Sequence, residues 1–203
     1  MNKRRLLLAT TNQGKAREIE SYLEDLNIEI LSLKEVGQSE PFSETGTTFD
    51  ENARGKSLFY SMNWEDLTLA EDSGLEIEAL NNEPGVLSAR YSGEQATDEK
   101  NNQKVLERMK EVPSEKRKAR FVSCMVLSQK GKIITEIKES VEGVITFEEK
   151  GTHGFGYDPL FYYPPLKKTF AELLPEEKNE VSHRGRALKK LKEYLLDHLG
   201  PDL

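Results

Sequence analysis

The stretch Leu67-Thr68-Leu69-Ala70-Glu71-Asp72-Ser73-Gly74 decides the fold. An apolar run stops abruptly in two carboxylates, a hydroxyl and a glycine. A short apolar run bounded by a turn signal reads as a buried strand, so Leu67 to Ala70 is expected to be central in a sheet. The Glu-Asp-Ser-Gly that follows is expected to form a turn at the strand's C-terminal end, the edge where open α/β sheets bind ligands. Two adjacent carboxylates there suit a hard metal ion or a general base. Taken alone, the tetrapeptide reads as a solvated acidic turn before it reads as a site.

The residues before this stretch supply a sheet for it to join. Arg5 to Thr10 reads as a strand buried on both faces. Thr11 or Asn12 can cap a helix in which Ile19, Tyr22, Leu23 and Leu26 recur at helical spacing. Ile28 to Leu33 alternates as a second strand, completing a βαβ unit. Gly37 to Thr48 is a loop, and Phe49 to Met62 a helix.

Beyond the acidic turn, Leu75 to Leu80 alternates as strand and Asn81 to Gly85 reads as a turn. Thr97 opens a helix that Pro113 ends. Arg120 to Leu127 and Ile133 to Phe147 form a hairpin about Gln129-Lys130-Gly131-Lys132, with Gly143 expected at a bulge or bend. Lys150 to Pro165 is a glycine- and aromatic-rich loop, and Phe170 to Leu174 a short helix. Glu180 to Leu199 is an amphipathic helix with Leu188, Leu191, Leu195 and Leu199 in register. The expected class is α/β: one domain over residues 1–203, with a central mixed sheet flanked by helices and a smaller hairpin-containing lobe from roughly 75 to 165.

Composition narrows the function. The 203 residues are 36% apolar and 32% charged, which fits a globular chain. No apolar stretch approaches the roughly 18 residues of a membrane span. The opening Met1 to Leu8 is too short and poorly flanked for a secretory signal. Cys124 is the only cysteine, so no intrachain disulfide is possible and a reducing cytoplasm is the expected home. A net charge of −7 disfavours duplex nucleic acid as a partner but permits a local basic pocket.

Four segments carry possible chemistry. Thr10-Thr11-Asn12-Gln13-Gly14-Lys15 follows a strand and opens a helix, which suits an anion, or is an ordinary capped turn. Asp50 to Ser57 nearly matches a phosphate loop, but its first glycine is missing and it lies within a helical pattern, so that reading is rejected; Lys56 can still project toward the sheet edge. In Phe155-Gly156-Tyr157-Asp158-Pro159 a ring between glycines can stack on a flat ligand or plug the core. Ser182-His183-Arg184-Gly185, with Lys178 before it, suits a phosphate or carbonyl oxygen, or is a capped helix start. Three histidines lack zinc spacing, and no G-x-S-x-G or strand-linked G-x-G-x-x-G occurs.

Taken as an ordered set, these segments resemble the inosine triphosphate pyrophosphatase family, whose members hydrolyse non-standard purine nucleoside triphosphates. The resemblance runs through Ala9 to Lys15, Glu44-Thr45-Gly46, Phe49 to Ala53 with Lys56, and Glu71 to Gly74. It continues through Pro84-Gly85, Ser88 to Gly93, Gly154 to Pro159, Glu177-Lys178-Asn179 and Ser182 to Gly185. Two positions depart from the usual pattern: Glu71, where many members have aspartate, and Thr11, where glycine is frequent.

The resemblance implies cleavage of ITP, dITP or XTP between the α- and β-phosphates, with Mg²⁺ as cofactor, in a cleft between the lobes of a homodimer's subunit. It assigns Glu44 and Asp72 to the metal and Asp72 to the general base. Thr10, Thr11, Asn12, Gln13, Gly14, Lys15, Lys56 and Ser73 fall to the phosphates. Phe155, Gly156, Tyr157, Asp158, Lys178, His183 and Arg184 fall to the nucleoside. Two other readings are a related pyrophosphatase preferring a modified pyrimidine and a non-catalytic nucleotide-binding protein.

Overall fold

The computed structural model describes residues 3–38 and 40–199, the side chain of Leu199 excepted. The chain runs β1 (Arg4–Leu8), α1 (Gln13–Leu23), β2 (Ile28–Ser32), α2 (Phe49–Ser61), β3 (Leu67–Ile77), β4 (Glu83–Pro84) and α3 (Asp98–Arg108). Next come β5 (Lys118–Gln129), β6 (Lys132–Ile145), β7 (Phe161–Tyr163), β8 (Lys168–Thr169), α4 (Pro175–Val181) and α5 (His183–Leu199). The sheet order is β2-β1-β3-β5-β6-β7-β8, with β4 paired to β3. β1 lies parallel to β2 and β3, while β4 on β3, β7 on β6 and β8 on β7 are antiparallel. The expected mixed α/β sheet flanked by helices is therefore present.

The chain divides into two compact units. One holds the residues up to Asp72, Ser123–Glu139 and those from Gly185; the other holds Ser73–Val122 and Ser140–Arg184. Sequence placed the second unit at about 75 to 165. It reaches Arg184, and the hairpin end between Ser123 and Glu139 belongs to the first unit.

In the first unit, side-chain alternation along β1 sorts two cores. Leu6 and Leu8 pack with Ile19 and Leu23 of α1 and with Leu188, Leu191 and Leu195 of α5. Leu7, pointing the other way, packs with Ala9, Leu33, Ala70 and Tyr60 of α2. This explains why β1 is apolar at consecutive positions: helices cover both its faces. The expected packing of Leu199 lies outside the described side chains. The second unit has its own core, in which Leu75, Ile77, Phe121, Ile145, Phe161 and Phe170 are buried.

Caps fix the helix starts. Asn12 Oδ1 accepts from Lys15 N at 3.0 Å and starts α1. Thr48 and Glu51 form a reciprocal capping box on α2, and Thr97 caps α3.

Two expectations need correction. Glu71-Asp72-Ser73-Gly74 is not a turn: β3 runs unbroken from Leu67 to Ile77. What ends there is the neighbour, because the β1–β3 pairing stops at Leu8 opposite Leu69, with Ala9 N bonding Leu69 O at 2.8 Å. The strand persists because its side chains stay buried and its later residues join the second core. Gly143, expected at a bulge or bend, has a packing reason to be glycine. It lies within β6, and a Cβ there would stand 2.5 Å from Phe161 Cζ and 2.7 Å from Tyr162 O, so glycine admits the close approach of β7. Finally, the terminal helix is two helices. Ser182 is extended between α4 and α5 (φ −72°, ψ 159°), although its N–H still reaches Lys178 O at 2.8 Å.

Candidate active site

In the first unit, the chemistry gathers around Asp72. Leaving the end of β1 frees one edge of β3 at the level of the acidic pair. Asp72 is buried, and its Oδ2 accepts from Asn52 Nδ2 at 3.0 Å. Burial pushes its carboxyl above the ordinary aspartate range. The positive charges of Lys15 and Lys56 pull it down, Glu44 pushes it up, and the Asn52 hydrogen bond pulls it down. Those four residues are thus electrostatic neighbours of Asp72.

Lys56 projects from α2 to form an ion pair with Glu44 Oε1 and to donate to Glu71 O at 3.3 Å. Its ammonium is therefore delivered from the helix to the strand, and Asp50 to Ser57 is helix rather than a phosphate loop. Glu71 is buried and turns the other way along the strand, where Ser123 Oγ donates to its Oε1 at 2.7 Å. Successive strand residues face opposite sides, which physically separates the two adjacent carboxylates.

The Thr10 to Lys15 segment is the turn into α1. Thr10 Oγ1 accepts from Asn12 N at 3.1 Å, Asn12 caps the helix, and Gln13 O accepts from Arg17 Nε at 3.2 Å. Thr11, Asn12 and Gln13 are exposed, while Gly14 and Lys15 are half-buried. A helix N-terminus with a lysine in its first turn attracts anions.

The described residues contain no group of three or more histidine, cysteine, aspartate or glutamate side chains able to hold a metal. Glu44 and Asp72 are a pair. An all-oxygen pair fits Mg²⁺, which is commonly held by one or two carboxylates and takes its other ligands from water and substrate phosphate.

In the second unit, Phe155 is half-buried, with Lys178 Nζ 4.9 Å and Arg184 Cζ 5.5 Å from its ring centroid. Both cations are buried. Lys178 Nζ meets Asp158 Oδ2 at 2.5 Å, and that same oxygen accepts from Phe155 N at 3.0 Å. Arg184 also donates to Ser73 Oγ at 2.9 Å. His183 stacks on Phe121, centroids 4.7 Å apart and planes 12° apart. Tyr157 faces inward: its hydroxyl donates to Ser88 O at 2.7 Å, and burial raises its pKa strongly. Its phenol braces the loop, whereas Phe155 keeps an accessible face.

Ser88 ties this loop to β3. Its Oγ accepts from Leu75 N at 3.0 Å and donates to Gly85 O at 2.6 Å. A Cβ on Gly74 would overlap that hydroxyl and come within 2.9 Å of Gly85 O. The glycine of the acidic stretch therefore makes room for Ser88.

Asn52 and Ser88 lie in segments that carry the resemblance but receive no role from sequence, and Ser123 receives none either. For Asn52 a signal existed: Phe49, Asn52, Ala53, Lys56 and Tyr60 share one helix face, so an amide and a lysine interrupt an apolar stripe.

These arrangements define a mixed α/β protein equipped to hold an anionic ligand. The chain belongs to the Ham1 family, whose model matches residues 6–194. It is 46% identical over 200 residues to a dITP/XTP pyrophosphatase of Clostridium perfringens, covering 95% of this chain and 97% of that one. It is 43% identical to a dITP/XTP pyrophosphatase of Exiguobacterium sibiricum, with 97% and 99% covered. Among solved structures, a HAM1 protein from Coxiella burnetii superposes with a TM-score of 0.87 at 40% identity, with 96% and 99% covered. The Staphylococcus aureus Ham1 protein gives 0.84 at 38%, with 95% and 98% covered. The family that the motifs resemble and the α/β fold they imply both agree with these matches.

Proposed function

We propose that this protein is a nucleoside triphosphate pyrophosphatase that hydrolyses dITP, XTP and ITP to the monophosphate and pyrophosphate. The observation that carries the reading is the buried Asp72 carboxylate, fixed by Asn52 and surrounded by Lys15, Lys56 and Glu44. The dITP/XTP pyrophosphatase relatives, aligned over nearly the full chain, support it.

Asp72 takes the proton of the attacking water. A carboxylate raised above its ordinary range is a better base near neutral pH, provided the neighbouring lysines keep it ionised. Lys15, Lys56, Ser73 and the Thr10 to Gly14 turn replace phosphate hydration with fixed donors. Glu44 and Asp72 would hold Mg²⁺, which when bound neutralises charge on the phosphates.

Phe155 stacks on the purine, and the Gly156 to Asp158 backbone, Lys178, His183 and Arg184 complete the base pocket. A donor from Arg184 or His183 meets the 6-oxo group of hypoxanthine or xanthine. The 6-amino group of adenine would bring a second donor to the same place, and an unmatched buried polar group discriminates strongly. The family resemblance supports a homodimer, and the single cysteine supports a reducing cytoplasm. Among the described residues, no helix is long and apolar enough to cross a membrane.

The test is product identification. ITP with Mg²⁺ should give IMP and pyrophosphate, with ATP cleaved far more slowly. Release of free phosphate without pyrophosphate, or a pyrimidine triphosphate preferred over ITP, would overturn the reading.

A further inference from the structure

The Phe155 loop is held by a part of the chain so far without a role. α3 opens with Thr97 as its cap, and Asp98 and Asn102 lie one turn apart on one face. Asp98 Oδ2 accepts from Gly156 N at 2.7 Å, and Asn102 Nδ2 donates to Gly156 O at 3.1 Å. Both backbone polar groups of Gly156 are thus taken by side chains of a single helix. Gly156 has φ +61°, and the space where a Cβ would stand is open within 4 Å, so backbone conformation rather than crowding requires glycine there.

Asn102 makes this contact at a cost. The residue is buried and, among the described residues, its Oδ1 meets no hydrogen-bond donor. A buried acceptor left unpaired is unfavourable. Turning the amide over would not help, because its oxygen would then face Gly156 O. The orientation of the amide is therefore set by the bond from its NH₂ to the loop. The adjacent Asn101 serves a different segment, accepting from Ser92 N at 2.8 Å and donating toward Ala89 O at 3.3 Å.

We infer that Asp98 and Asn102 are positioning residues for base recognition, gripping the Gly156 peptide so that the Phe155 ring is set before the nucleotide arrives. The inference rests on the proposed reading of Phe155 as the purine-stacking surface. The gripped loop binds without a prior ordering step; released, it spends only part of its time in the competent form, and apparent affinity falls by that fraction.

The experiment compares wild type with Asp98→Ala, Asp98→Asn and Asn102→Ala. It reads hydrogen exchange at the Gly156 amide, steady-state kinetics with ITP, and calorimetric binding of IMP and of pyrophosphate, all with Mg²⁺. Asp98 is exposed, so its variants keep the fold. In Asp98→Ala, Gly156 protection should fall, KM for ITP and Kd for IMP should rise about tenfold, and kcat and pyrophosphate binding should hold within about twofold. Asp98→Asn retains an acceptor for Gly156 N and should restore most of the affinity. Folded Asp98→Ala with unchanged IMP binding overturns the inference, as does an equal loss for IMP and pyrophosphate, which would mark a merely structural role. Wild type that neither cleaves ITP nor binds IMP overturns the site reading and this inference with it, a failure recognisable because it needs no substitution.

Discussion

Asn52 Nδ2 donates to Asp72 Oδ2 across 3.0 Å, and both residues are buried. The other end of the same amide accepts from Gly46 N at 2.8 Å. One side chain on α2 therefore orients the carboxylate and anchors the Glu44-Thr45-Gly46 segment. Asn52→Asp preserves size but replaces the donor by a second negative charge against Asp72. Turnover of ITP should fall roughly 10–100-fold, the usual range for losing a group that orients a metal-binding carboxylate. Steady-state kinetics beside a thermal melt check this; wild-type kcat in a folded variant would show that Asp72 needs no such support.

Asp72 itself is tested by Asp72→Asn. The substitution keeps the shape and removes the base. Loss of a positioned general base costs about 10²–10⁴-fold in rate. Pyrophosphate production should fall into that range while circular dichroism stays that of wild type. Retained activity would remove Asp72 from the role of base.

Lys178 and Asp158 form a buried ion pair, with side chains only 5% and 3% exposed. Removing one partner leaves an uncompensated charge inside the protein, which typically costs about 3–5 kcal/mol. Lys178→Met should therefore destabilise strongly in urea unfolding. The double variant Lys178→Met/Asp158→Leu should recover part of that loss, because the stranded charge is gone. Equal stability of the single and double variants would mean that the pair is already reached by water. In the double variant the Phe155 N–H loses its acceptor, so IMP affinity should fall further there than in Lys178→Met.

Which parts of this were legible in the chain follows from what each signal encodes. The opening βαβ unit was readable because apolar runs and caps report burial and helix starts locally. Glu71 to Gly74 has the composition of a turn, because acidic residues with glycine usually leave a sheet. Here Asn52 and Ser123, each distant in sequence, satisfy the carboxylates inside it. The break at Ser182 was hidden by apolar spacing that continues through it. Asp98 and Asn102 carry no local signal of their role, since their partner Gly156 lies more than fifty positions away. Sequence periodicity records which face is buried, but not which backbone group a polar side chain will meet.

Cys124 gives a prediction in pH. It is buried in β5, and burial, reinforced by the Asp50 charge, pushes its thiol up to about 12. An unfolded thiol titrates near 8.5. The folded state therefore holds its proton where the unfolded chain has released one. The stabilisation is complete below about pH 8.5 and is lost as pH rises toward 12, with a slope of at most about 1.4 kcal/mol per pH unit. Urea midpoints between pH 8 and 10.5 should decline faster for wild type than for Cys124→Ala, which lacks the titrating group. Iodoacetamide at pH 8.5 should leave the native thiol unmodified and label it promptly in guanidinium, because the reactive thiolate forms only on unfolding. Rapid labelling of the native protein, with parallel midpoint curves for the two proteins, would show the thiol to be open to solvent.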